Sequence, residues 1–170
     1  MILSGYRLKL RRTTNLSRGN SWTCLATLQG ITDYGTGLVA LMMHLTEGTT
    51  HGIVIAEQEF DFLGNAHGPD VSILGAAKAA LLELDKRVQR FVPDLAIEIA
   101  SESDTYEGLL AKKDRYLRSG VSEVWLVSLR SREVAVYGTH RKTILRGKDM
   151  IETSLLPDFS IAVAQLLLGL

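Results

Sequence analysis

This sequence of 170 residues has one cysteine, Cys24, and only three prolines. A lone thiol cannot form an internal disulfide and suits a reducing cytoplasm. No apolar run reaches the roughly 18 residues that cross a bilayer, so no membrane partner is expected. "GLVALMMHL", 37–45, is too short and reads as a core helix. There is no P-loop, no dinucleotide-binding glycine fingerprint and no Gly-x-Ser-x-Gly elbow, which removes common nucleotide-binding and serine-hydrolase readings. The histidines at 44, 51, 67 and 140 form no zinc pattern, and Cys24 lacks a ligand at useful spacing.

Acids are missing from one region. Residues 1–32 carry Arg7, Lys9, Arg11, Arg12 and Arg18 with no Asp or Glu, leaving 14 basic against 19 acidic side chains in the remainder. Such a start is similar in composition to a transit peptide, but no clear amphipathic helix follows it. A basic arm touching phosphate is the other reading. The length suits one domain. We divide the chain into a divergent basic segment, 1–35, and a folded domain, 36–170.

Patterning supplies the elements. Trp22–Leu28 reads as a short strand and 36–46 as a helix. Residues 51–62 alternate as a strand, and "PDVSIL", 69–74, reads as a second. Residues 75–91 are rich in helix formers and predict a long helix. Residues 94–100 form the next strand. Ser103 and Asp104 are placed to cap the helix that follows, and Gly120 to take the left-handed position after it. Residues 122–129 and 132–138 read as a hairpin, 142–146 as a further strand. The end turns at Pro157-Asp158 and closes in an apolar helix. Intermixed strands and helices predict an α/β fold, a mixed central sheet flanked by helices.

What is present and unusual is a carboxylate, Glu98, inside an apolar strand. Each proline precedes an aspartate: Asp70, Asp94 and Asp158. Asp94 and Glu98 share a strand face but stand roughly 13 Å apart, too far to hold one ion. Asp70 lies on another strand. If the two strands pair, Asp70 and Glu98 can stand roughly 5 Å apart, a repulsive arrangement that a divalent cation relieves. On the following helix, Tyr106, Leu109, Leu110, Tyr116 and Leu117 form the inward stripe. Lys113 lies within it and Lys112 at its edge, so either ammonium can reach the sheet or stay in solvent. His67, three residues before Asp70, could approach the cleft but reads first as a plain loop histidine, and Trp22 and Trp125 read as core residues.

"PDLAIEIASESDTYEGLLAKKDRYLRSGVSEVWLVSL" resembles the Uma family of restriction-endonuclease-like proteins, members of the PD-(D/E)XK nuclease superfamily. "HGPDVSIL" is similar to its first Pro-Asp strand and "LLPDFSIAVAQLL" to its closing segment. The resemblance implies a restriction-endonuclease-like fold and Mg²⁺- or Mn²⁺-dependent hydrolysis of DNA. It makes Asp70 and Glu98 the metal-binding acids. The superfamily lysine two residues after the acid is replaced here by Ala100, and the resemblance assigns its role to Lys112, four residues before Tyr116. Ser101, Asp104 and Tyr116 match supporting positions. Three departures stand out: the family's acidic pattern near its start is absent from residues 1–32, Glu102 replaces a proline, and Ser128 replaces an aspartate.

The expectation is thus an endonuclease using Asp70, Glu98 and Lys112, acting as a homodimer or higher homo-oligomer. Its apolar segments 37–45 and 161–168 are candidate interface surface. One alternative is a non-catalytic relative that binds nucleic acid or serves assembly. Another is a structural domain in which Glu98 is merely salt-bridged to Lys112.

Overall fold

Alternation within "LAIEIA" organises the molecule. In β6 (Leu95–Ala100), Leu95, Ile97 and Ile99 project to one face of the sheet, Ala96, Glu98 and Ala100 to the other. The computed structural model describes residues 52–168. The expectations for the basic segment, Trp22–Leu28, Cys24 and the 36–46 helix lie outside them.

In chain order the elements are β1 (Gly52–Ala56), β2 (Glu59–Phe62), β3 (Asn65–His67), β4 (Val71–Gly75), α1 (Ala76–Ala79), β5 (Val88–Gln89), β6, α2 (Tyr106–Arg118), β7 (Glu123–Ser128), β8 (Glu133–Gly138), β9 (Lys142–Arg146), β10 (Met150–Thr153), β11 (Leu156–Ala162) and α3 (Val163–Leu168). Six strands form a mixed sheet in the order β1-β4-β6-β7-β8-β9. Within this six-stranded sheet only β6 and β7 pair in parallel, joined by the α2 crossover. The neighbouring pairs β4–β6 and β7–β8 are antiparallel.

Each face of this sheet has its own core. On one, Leu95, Ile97, Trp125, Val127, Val134 and Val136 pack against the β10–β11 hairpin and α3. On the other, Ala96, Val124, Leu126 and Tyr137 pack against Leu109 and Tyr116 of α2, with Phe60 and Phe62 of the small β3-β2-β5 sheet. Trp125 is fully buried, as its apolar strand predicts, and donates its Nε1–H to Glu123 at 2.7 Å. The small residues Ala96 and Ala100 flank Glu98 on the α2 face and leave it room.

Four expectations change. The single strand 51–62 is two: Glu57 turns with φ 51°, and β2 leaves the main sheet for the second. The long helix 75–91 is one turn, α1. Beyond it, Gln89 accepts the Glu83 N–H at 3.1 Å and donates to the Glu83 carbonyl at 2.8 Å and the Lys86 carbonyl at 3.1 Å. Val88 and Gln89 pair in parallel with β2, so tertiary pairing overrides helix propensity. Pro157-Asp158 lies within β11, where a register shift opposite Glu152/Thr153 accommodates the proline. Finally, Ile161, Val163, Leu166 and Leu167 are buried in the core, so that segment does not offer interface surface.

Candidate active site

The site begins with strand register. β4 pairs β6 with Val71 opposite Ile97 and Ser72 opposite Ala96. Asp70 lies one residue before β4, and continuing the register one step beyond the last pair sets it level with Glu98. Residues opposite one another share a face, here the α2 face. Asp70 accepts the Ile99 N–H through Oδ2 at 2.6 Å, tying it to the β6 backbone.

α2 delivers the remaining groups, and its ends fix their height. Its N-cap is Thr105, whose Oγ1 accepts the Gly108 N–H at 3.0 Å. The expected caps serve elsewhere: Asp104 Oδ2 accepts from Ser101 N–H at 2.9 Å and from Ser101 Oγ at 2.6 Å, closing the loop after β6. At the other end Gly120 has φ 99°, its N–H reaches the Leu117 carbonyl, and the Val121 N–H reaches the Tyr116 carbonyl. This is a Schellman ending, completed by the packing of Val121 and Tyr116 in one cluster. Tyr116 is thereby fixed beneath the sheet and donates its hydroxyl to Glu98 Oε1 at 2.6 Å.

Lys112, one turn earlier, places Nζ 2.7 Å from Glu98 Oε2 and 3.8 Å from Asp104 Oδ1. Lys113 instead lies over the Tyr137 ring, 4.9 Å from its centroid, and pairs with Asp114. Of the two lysines, Lys112 is the one that meets the buried acid. Within the inward stripe Leu109 and Tyr116 are buried, but Tyr106 is 62% exposed. Asp94 plays a different part, accepting the Gly75 N–H at 2.7 Å and pairing with Lys78 at 2.8 Å.

The electrostatics follow from burial. Desolvation pushes the Asp70 carboxyl up to about 6; the Ile99 N–H opposes this and the neighbouring Glu98 charge adds to it. Burial also acts on Lys112, downward, but its hydrogen bond to Glu98 and the charges of Glu98, Asp104 and Asp70 outweigh it and hold the ammonium above its ordinary value. Tyr116 is raised, first by burial and then by the Glu98 charge, so its hydroxyl stays a donor. Asp104 is lowered by the two hydrogen bonds from Ser101.

One residue that the sequence favours as a plain loop histidine lies beside these groups. His67, half-buried on β3, sets its ring 5.8 Å from that of Tyr116. Its Nε2 is buried without a hydrogen-bond partner among the described residues. Burial lowers its pKa, against the pull of Glu98. Proximity to Pro69-Asp70 was the only signal, and the β2–β3 hairpin that folds it onto α2 is not visible in the sequence.

The donor set suits a hard divalent ion, which needs only one or two carboxylates and keeps its own water. Asp70 Oδ1 has no hydrogen-bond partner among the described residues, and removing the proton from this raised carboxyl would make it a ligand. Among the described residues no group of three or more His, Cys, Asp and Glu side chains converges as a ready-made cage. A polar cleft lined by Glu123, Arg141, Thr153 and Ser160 lies at the other end of β7. Its buried Glu123 is engaged by Trp125 and Arg141, a structural role.

Among the described residues no helix is long and apolar enough to cross a membrane, which says nothing of strands. No curated protein matches the chain. Among solved structures, one described as a "putative nuclease belonging to DUF820" from Anabaena variabilis is similar, with a TM-score of 0.71 at 14% identity, covering 82% of this chain and 83% of that one. At that identity the likeness carries the fold, which is restriction-endonuclease-like. The profile of the Uma2 family, described as "putative restriction endonuclease", matches residues 33–164, and the chain belongs to that family.

Proposed function

We propose that the chain is a metal-dependent endonuclease that hydrolyses DNA phosphodiester bonds, with Asp70 and Glu98 holding Mg²⁺ or Mn²⁺. The observation that carries this reading is the cross-strand position of Asp70 against Glu98, with the Lys112 ammonium 2.7 Å from the latter. A divalent ion bound there supplies an acidified water and a polarised phosphoryl oxygen. Asp70, anchored through Oδ2, offers Oδ1. Tyr116 holds Glu98 in one orientation. Lys112 keeps its proton and is the cation that offsets charge developing on the phosphoryl oxygens. Ser101 fixes Asp104, whose charge restrains Lys112 from the loop side. Self-association as a homodimer or higher homo-oligomer would bring two such sites to two strands, and the single thiol suits a cytoplasmic setting.

A second reading rests on a specific observation. Both Glu98 oxygens are already taken, by Lys112 and Tyr116, as in a structural ion pair of a non-catalytic nucleic-acid-binding or assembly relative. Plasmid nicking in Mg²⁺ or Mn²⁺ separates the two. We expect nicking by the wild type and a loss of about 100-fold or more in Glu98→Ala and Lys112→Ala. Equal activity in wild type and Glu98→Ala, or none in either together with no saturable Mn²⁺ binding by calorimetry, favours the second reading.

A further inference from the structure

Beyond the carboxylates, the same end of the sheet carries a set of groups that the proposed chemistry does not use. Ala100 is opposite Ser128, Ser128 opposite Glu133, and Glu133 opposite Arg146. The β7–β8 turn and the chain leaving β9 therefore emerge beside the Ser101–Thr105 loop. They expose Arg130, Arg132 and Lys148, none of which is salt-bridged among the described residues. Of the acids at this end, Glu133 pairs with Arg146 and Asp149 accepts the Arg146 N–H at 2.8 Å, while Glu102 and Glu107 are exposed on the side of the Ser101–Thr105 loop and the first turn of α2. From β6 to β9 this rim spans three strand spacings, about 14 Å.

Two features show that the rim is not an ordinary solvated edge. Arg132 has φ 53°, a conformation that costs a long side chain energy and that Gly or Asn would adopt more readily. Tyr106 is the other. It lies on the wheel with Leu109, Leu110 and Tyr116, yet it is 62% exposed. α2 connects parallel strands and so runs back against β6 from its first turn. Leu109 is the first residue of the helix to be buried, so the turn before it leaves the Tyr106 ring uncovered, about 9 Å along the helix from Lys112.

We infer that this end of the sheet docks an unpaired nucleic-acid strand, with Arg130, Arg132 and Lys148 on successive phosphates and Tyr106 stacked on a base. Phosphate contact supplies salt-dependent affinity, and an exposed aromatic captures a base only when it is free of its own stack. The inference rests on the endonuclease reading and names the strand form it takes. Each copy handles one strand, locally opened at the cut.

The test is binding of the full chain to a fluorescein-labelled single-stranded oligonucleotide and to its duplex, in EDTA across a salt series. We expect tighter binding to the single strand. Arg130→Ala/Arg132→Asn/Lys148→Ala should reduce the log–log salt slope by about 2, given roughly 0.7 per phosphate on single strands. Asn at 132 relieves the strained φ, so lost binding is not lost folding. Tyr106→Ala should cost about tenfold on the single strand, with the slope unchanged and little effect on duplex. An unchanged slope in the triple variant, or tighter binding to duplex that ignores Tyr106→Ala, overturns the inference. Equal loss with polyglutamate as the probe also overturns it and assigns the rim to acidic protein. If the wild type still nicks plasmid in these cases, the endonuclease reading stands; if it neither binds nor nicks, both fall.

Discussion

At the scale of single residues, the Asp70 carboxyl sets a pH dependence. Its ordinary value is 3.8, and burial raises it to about 6 in the fold. Between these pH values the folded protein holds a proton that the unfolded chain has released. Stability is thus fully present below pH 3.8 and declines as pH rises through 6. The carboxyl keeps some solvent contact, so we expect a decline of about 1 kcal/mol, well below the value for complete burial. Asp70→Asn cannot titrate and should flatten this part of the curve, making the variant relatively more stable at pH 7. Urea melts in EDTA from pH 4 to 7 measure it; parallel curves for the two proteins would refute the assignment. The pairing of Asp70 with Glu98 was legible because two Pro-Asp strands and one buried acid leave few arrangements. His67 was not, since the same residues read equally well as a loop until β3 is placed on α2.

At the scale of elements, α2 holds Lys112 and Tyr116 at the height of Glu98, and its C-terminal glycine fixes that height. A Cβ on Gly120 meets nothing within 4 Å, so the cost of Gly120→Ala comes from its φ of 99° alone. That cost is about 1–2 kcal/mol, and Gly120→Asn should cost less. Chemical denaturation checks both. If Ala is as stable as Gly, the Schellman ending does not hold the helix. The glycine was readable in the sequence because a left-handed position after an apolar stripe has few other solutions. The cap was displaced by one residue because Ser103, Asp104 and Thr105 are chemically equivalent candidates, and only the Ser101–Asp104 loop chooses among them. Residues 75–91 misled for the opposite reason. Their helix propensity is strong, but Leu81 and Leu84 are exposed, at 57% and 70%, and Gln89 secures a non-helical path by contacts that propensity does not encode.

At the scale of the whole molecule, the parallel β6–α2–β7 unit brings acid and ammonium from one continuous stretch to one place, and β4 adds the second acid from outside it. This is why most of the candidate site could be read from residues 92–129, whereas the two-core architecture could not: it depends on β2 leaving the main sheet at Glu57. The arrangement also predicts how a metal would couple to folding. An ion that binds only the folded site stabilises the whole domain, by about 2.7 kcal/mol at a hundred times its dissociation constant. It must displace the proton that Asp70 retains up to about pH 6, so its effect depends on pH. Thermal melts with and without Mn²⁺ should show a larger upward shift at pH 7.5 than at pH 5. Glu98→Ala should abolish the shift at both. A shift of equal size at the two pH values would mean that the ion binds without displacing the Asp70 proton, and retention in Glu98→Ala would place it elsewhere. Loss of the shift in Glu98→Ala with a normal melt in EDTA would instead locate metal, proton and ammonium at the single meeting point of β4, β6 and α2.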